Sequence, residues 1–177
     1  MLSEPQTEKM LTMRQLFSIL MTALMLTLTL SANEHYLLPE AKSDLIHSLK
    51  RKIQRAESIT IITRSLDNSA LSKSIEKALK QGASFKLITT NMTTAAYYAK
   101  YKNTIVKVPN SQRLTNNFHL NILLIDQSDV CFSTLSFSDA DLKRDIGEVM
   151  CTTNIEEITF ALDIKKRFTE RFEDYNQ

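Results

Sequence analysis

Glycine is nearly missing from this chain, with two residues in 177. A Gly-rich phosphate loop of the dinucleotide-binding or P-loop type needs several glycines at fixed spacing, so neither can be built here. Cysteine is as scarce, again two residues, which excludes a disulfide-built miniprotein and a cysteine-only zinc site. The three histidines stand at no metal-ligand spacing from a cysteine or from one another, so neither a metal nor another cofactor is expected. An excess of one charge is also lacking: 22 Lys and Arg against 20 Asp and Glu leave +2. Tight non-specific DNA binding draws on many phosphate contacts and is disfavoured at this balance. What remains is an ordinary composition, 43% hydrophobic and 24% charged, which excludes a disordered tail and a multi-pass membrane protein. The length is that of one domain.

Leu16 to Leu30 (LFSILMTALMLTLTL) is uncharged over 15 residues, with Lys9 and Arg14 before it and Ser31-Ala32-Asn33 after it. A basic start, an apolar stretch and small residues at the exit describe a secretory signal peptide. Met13 is a second candidate start, because Glu4 and Glu8 dilute the charge ahead of the apolar run. The alternative is an uncleaved membrane anchor through residues 16–30, for which the run is short against the roughly 20 residues that span a bilayer. On either reading residues 1–32 are separate from a domain at 33–177, and that domain works outside the cytoplasm, periplasmic or anchored facing outward.

Strands and helices alternate along that domain. Leu45, Ile46, Leu49, Ile53 and Ala56 recur at helical spacing within Asp44–Ala56, and Leu71, Ile75, Ala78 and Leu79 stripe a second helix that Gly82 would end in a left-handed cap. SITIIT at Ser58–Thr63 and SFKLIT at Ser84–Thr89 read as strands, followed by a short helix over Thr93–Tyr101 and a strand at Thr104–Val108. Pro109–Asn117 reads as a polar loop. His119–Asp126 (HLNILLID) has a continuous apolar centre and reads as a buried strand, with two more at Val130–Thr134 and Glu148–Thr152. Asn154 and Glu157 have capping-box spacing and open a long helix through Phe172. This alternation predicts an α/β layered domain.

His119, Asn121 and Asp126 fall on one predicted strand, and 119 and 121 share a face because side chains alternate. Ser133, Thr134, Ser136 and Glu148 follow. Taken alone, one histidine on an apolar strand is more often structural than catalytic. The order of these elements, however, resembles the phospholipase D superfamily, and in particular its small, exported, single-motif nucleases. The family signature is H-x-K-x-x-x-x-D, six residues, G-S-x-N, and a Glu after a short helical excursion. His119 matches the His, Asn121 stands at the Lys, Asp126 matches the Asp, and Gln127 to Phe132 supply the six residues. Ser133 stands at the Gly, Thr134 at the Ser, Ser136 at the Asn, and Glu148 at the Glu, with Ile146 where an Asn usually precedes it. The stretch SITIITRSLDNSALSKSIEKALKQGASFKLIT is similar to the family's first strand, helix and second strand.

The resemblance implies a sandwich with a central mixed sheet flanked by helices, and a homodimer that brings two motifs together. It implies phosphodiester hydrolysis without metal. One His119 attacks phosphorus, and the other protonates the leaving oxygen and then activates water. Glu148 would bond the ring nitrogen of His119 that does not react, and Asp126 belongs to the same catalytic motif. Asn121, Thr134 and Ser136 would contact the substrate phosphate. Asn121 brings no charge where the family has lysine, so reduced activity is expected. Lys143 or Arg144, just before Glu148, would replace the charge only in part if they reach the site, and they read more simply as solvated, as do Arg113 and Lys107. Nucleic acid is favoured over phospholipid as substrate, since no basic amphipathic helix is present to bind a membrane surface. The alternative is a catalytically inactive member that binds phosphodiesters or a partner protein.

If Thr134 lies opposite Glu148 on antiparallel strands, paired residue numbers share the constant sum 282, and Cys131 lies opposite Cys151 on the other face. An exported chain can oxidise such a pair to a disulfide. Two reduced, buried cysteines are the slightly favoured alternative, because directly opposed strand positions do not always permit disulfide geometry.

Overall fold

β-branched runs become strands because their stiff side chains pack well on a pleated surface, and SITIIT forms β2 (Ser58–Thr63) with five of its six residues buried. In the computed structural model, which describes residues 33–175, eight strands and six helices follow one another. The segment read as signal peptide or anchor, residues 1–32, lies outside the described residues. The order is β1 (Glu34–Leu38), α1 (Lys42–Ile53), β2, α2 (Ser69–Lys80), β3 (Ser84–Thr89), α3 (Met92–Ala99) and β4 (Thr104–Val108). There follow α4 (Gln112–Asn116), β5 (Ile122–Ile125), β6 (Asp129–Ser133), α5 (Asp139–Arg144), β7 (Gly147–Thr152), α6 (Ile155–Arg171) and β8 (Glu173–Asp174). Among the described residues no helix is long and apolar enough to cross a membrane.

The strands form one mixed sheet in the order β1-β7-β6-β5-β2-β3-β4-β8. β2, β3 and β4 run parallel, and every other neighbouring pair is antiparallel. Ile59 and Ile61 of β2 point to one side, into a core with Leu45, Leu49 and Ile53 of α1 and Leu71, Ile75 and Ala78 of α2. Ile62 and Ile88 point to the other, where Ile158, Ala161 and Phe172 from α6 and its end meet them with Phe118. Each such Ile, Leu or Phe side chain, fully buried, contributes about 1.5–3 kcal/mol, so both sheet faces are held by helices. This is the α/β layered sandwich that the sequence predicts.

Several elements depart from the sequence reading. β1 joins the sheet edge beside β7, a partner more than a hundred residues away. The polar loop at 109–117 contains α4, whose first turn is capped by the Ser111 hydroxyl accepting from the Leu114 amide. β5 is shorter than His119–Asp126. Its pairing with β2 ends at Ile62↔Ile122, and Asp126 and Gln127 take left-handed φ values of 51° and 56° in the turn to β6. Asn154 caps α6 through the Glu156 amide, while its own N–H goes to Thr152 Oγ1, so Glu157 does not complete a capping box.

Gly82 ends α2 as expected, at φ 99°, with its amide on the Leu79 carbonyl and the Ala83 amide on the Ala78 carbonyl. β6 and β7 pair as Cys131↔Cys151 and Ser133↔Val149, the register inferred from Thr134 and Glu148. The two sulfurs are joined as a disulfide, S–S 2.08 Å, in place of the reduced pair that the sequence slightly favours.

Candidate active site

Parallel β2 and β3 end at one edge of the sheet, and β5, antiparallel to β2, starts there. Open α/β sheets bind ligands beyond the carboxyl ends of their parallel strands, where the chain leaves the sheet and loops converge. At this edge His119, Asn121, Thr134 and Glu148 line a cleft of about 320 Å³, with Phe132 and Met150 as its apolar floor. A smaller hollow of about 130 Å³ shares His119, Asn121 and Thr134 with it and adds Arg64, Ser136 and Asp141.

His119 lies in the segment between α4 and β5 and is exposed. Its ring makes no side-chain hydrogen bond among the described residues. Asn121 is buried, its backbone carbonyl accepts from the Ser133 amide, and its side-chain Oδ1 lies 2.8 Å from Thr63 Oγ1, which donates. Orienting Oδ1 inward leaves the amide NH₂ for the cleft, as a neutral donor in place of an ammonium. The Thr134 amide donates to the Glu148 carbonyl, and the Glu148 amide donates back to Thr134 Oγ1 at 2.9 Å. That reciprocal pair fixes where β6 ends and β7 begins.

Gly147 makes this close approach possible. A Cβ there would lie 2.5 Å from Leu135 Cγ and 2.7 Å from Thr134 Oγ1. Gly147→Ala is therefore expected to force the Thr134–Leu135 segment aside, at a cost of about 1–3 kcal/mol typical of overpacking. A thermal melt of wild type and variant checks it, and an unchanged midpoint would contradict the clash.

Three of the expected site residues act otherwise. Asp126 sits at the far end of β5, roughly 20 Å from His119 at about 3.3 Å per extended residue. Its Oδ1 accepts from the amides of Glu57 and Ser58, each at 2.8 Å, so it ties the turn after β5 to the start of β2. Ser136 is buried at the smaller hollow, and its hydroxyl donates to Asp141 Oδ2. Glu148 does reach the cleft, but its Oε1 is bonded to His35 Nδ1 at 2.6 Å and not to His119. Both members of that pair are half exposed, and exposed pairs of this kind contribute at most about 1 kcal/mol.

His35, Thr63, Arg64 and Asp141 were not read from the sequence as site residues. Arg64 carried the one usable signal, since it directly follows a strand whose carboxyl end opens onto the site. Of the cations considered from sequence, Lys107 is paired with Asp174 at 2.9 Å and Lys143 with Asp139 at 3.8 Å, while Arg113 and Arg144 line neither hollow.

Burial alone would raise the Asp141 carboxyl pKa. Hydrogen bonds from Ser136 and Ser138 and the charge of Arg64 outweigh it and hold the group below its ordinary value. A lowered folded pKa means that the folded state binds fewer protons than the unfolded chain near pH 4. The stability is thus present above the unfolded pKa of about 3.9 and is lost as pH falls through the folded one. Asp141→Asn should flatten this acid limb: the loss of urea midpoint between pH 7 and pH 3 should be smaller in the variant than in wild type.

With this geometry in view, comparison with solved structures defines the class: the chain has the phospholipase D fold. NucT from Helicobacter pylori is similar over 82% of this chain and 99% of its own, with a TM-score of 0.73 at 20% sequence identity. Nuc from Salmonella typhimurium, a phospholipase D family member, matches 83% of this chain and 99% of its own, with a TM-score of 0.69 at 15% identity. Phosphatidylserine synthase from Haemophilus influenzae matches 83% of this chain and 40% of its own, with a TM-score of 0.65 at 11% identity. No protein-family model matches the sequence, and no curated protein matches it. At these identities the likeness is one of fold.

Proposed function

We propose that this chain is an exported phosphodiesterase, of the nuclease kind, that works through a phosphohistidine at His119. The observation that carries the reading is the convergence of His119, Asn121, Thr134 and Glu148 on one cleft at the carboxyl ends of the parallel strands. A ring nitrogen of His119 attacks phosphorus, forming a P–N bond as the bond to the leaving oxygen breaks. The second histidine comes from a second copy of the chain and gives that oxygen its proton. The same histidine then takes a proton from water, whose oxygen displaces His119 and restores both rings. Phe160 of α6 is an exposed aromatic beside Phe132 and Met150, which also line the cleft, and this suits coverage by such a second copy. Short nucleic acids fit the near-neutral charge better than long duplexes. Asn121 in place of lysine lowers the rate, because a neutral donor stabilises the developing phosphoryl charge less than an ammonium does.

The test is hydrolysis of bis(p-nitrophenyl) phosphate and of single- and double-stranded DNA by the full chain in excess EDTA. Turnover that survives chelation is the expected result; turnover that EDTA abolishes would overturn the metal-free mechanism. A second reading, binding of phosphodiesters or a partner protein without turnover, rests on the loss at 121 of the charge that would stabilise the transition state. Binding of an oligonucleotide with no hydrolysis would favour it.

A further inference from the structure

We infer that Arg64 supplies the positive charge at the scissile phosphate that position 121 lacks. The inference rests on the phosphodiesterase reading of the same site. β2 and β5 are neighbours paired through Ile62↔Ile122, and just beyond that pair Thr63 bonds Asn121. Arg64 is the next residue, so its backbone leaves the sheet beside the position where the motif places lysine. Its side chain lines the smaller hollow together with His119, Asn121 and Thr134. The charge thus enters from the adjacent strand instead of from the motif strand.

The environment of the guanidinium suits this task. Its side chain is 61% exposed, whereas the side chain of Lys107, committed to an ion pair, is 14% exposed. Arg64 Nη2 lies 3.7 Å from Asp141 Oδ2, longer than a hydrogen bond, so its N–H donors remain available. Asp141 is itself fixed by the Ser136 hydroxyl and by the Ser136 amide at 3.2 Å, so its charge attracts the arginine toward the hollow from a fixed position. A fork of planar donors left free in this way can offer one edge to two phosphate oxygens. Asp145 also lines the hollow and opposes an anion there, which makes a local cation more necessary.

The experiment measures kcat/KM on bis(p-nitrophenyl) phosphate for the full chain, Arg64→Gln, Arg64→Lys and the double variant Arg64→Gln/Asn121→Lys, with His119→Ala as background. Arg64→Gln should lose about 100-fold, the effect of removing one preorganised stabiliser. Arg64→Lys should keep activity within about tenfold of wild type, because the charge remains. Moving the charge to the neighbouring strand in the double variant should also restore activity to within about tenfold, a rescue that a merely structural role would not give. If Arg64→Gln hydrolyses as fast as wild type, the role of Arg64 is overturned while the phosphodiesterase reading stands. If wild type shows no turnover above His119→Ala, that reading falls, and binding of inorganic phosphate then decides for Arg64. A tenfold weaker affinity in Arg64→Gln would support the inference; equal affinity, or none in wild type, would overturn it.

Discussion

His119→Ala is expected to lower EDTA-resistant phosphodiester hydrolysis by at least about a thousandfold, because the variant has neither nucleophile nor general acid. The loss should occur without unfolding. His119 is exposed and bonded to no other side chain among the described residues, so its removal opens no cavity in either core. Circular dichroism and the thermal midpoint should therefore match wild type. A shared site adds a sharper signature. In a twofold dimer one histidine attacks and the other protonates, so a mixed dimer with one histidine has half of each pair of roles. Adding excess His119→Ala and allowing the subunits to exchange should drive wild-type activity toward zero. Activity that falls only in proportion to wild-type subunits would show that each chain works alone.

Asn121→Lys is expected to raise the same activity by at least about tenfold, since one preorganised stabiliser is typically worth 100- to 1,000-fold. Part of that range is forfeited because Arg64 already stands beside the position. The gain has a structural cost. Asn121 accepts the Thr63 hydroxyl at 2.8 Å in a buried setting, and lysine cannot accept. Losing that bond costs about 1 kcal/mol, which in a domain of this size lowers the melting midpoint by about 2–4 °C. A variant that is less stable and faster is therefore the expected pair of results, read by kinetics and a thermal melt on the same sample. A folded variant with unchanged kcat/KM would count against charge as the missing element.

Much of the fold could be read from local pattern because its signals are local. Ile59, Ile61 and Ile62 need a pleated surface wherever they sit, and Leu71, Ile75 and Ala78 make one helical face whatever they pack against. Gly82 marked its helix end because a positive φ is cheap only for glycine. Even the pairing of Cys131 with Cys151 could be read, since an antiparallel register has a constant sum once one pair is chosen. Of the residues singled out through the family resemblance, His119, Asn121, Thr134 and Glu148 line one cleft, because they stand at or just outside the same ends of neighbouring strands. Asp126 belongs to the same motif, yet a strand carries its ends apart, and seven residues of extended chain cannot converge on one cleft.

Only the tertiary structure decided what comes from far along the chain. His35 meets Glu148 because β1 adds to the free edge of β7, and a five-residue strand carries no mark of its partner. Ser136 turns to Asp141 because a buried hydroxyl must find an acceptor, and α5 brings that carboxylate within reach. Arg64 enters the hollow because β2 and β5 are neighbours, a consequence of the strand order. Periodicity therefore determined the elements of this protein, and the motif was legible through its resemblance to a known family. The charge around that motif was set by which strands the sheet made adjacent, since the electrostatics of a cleft depend on distances in space.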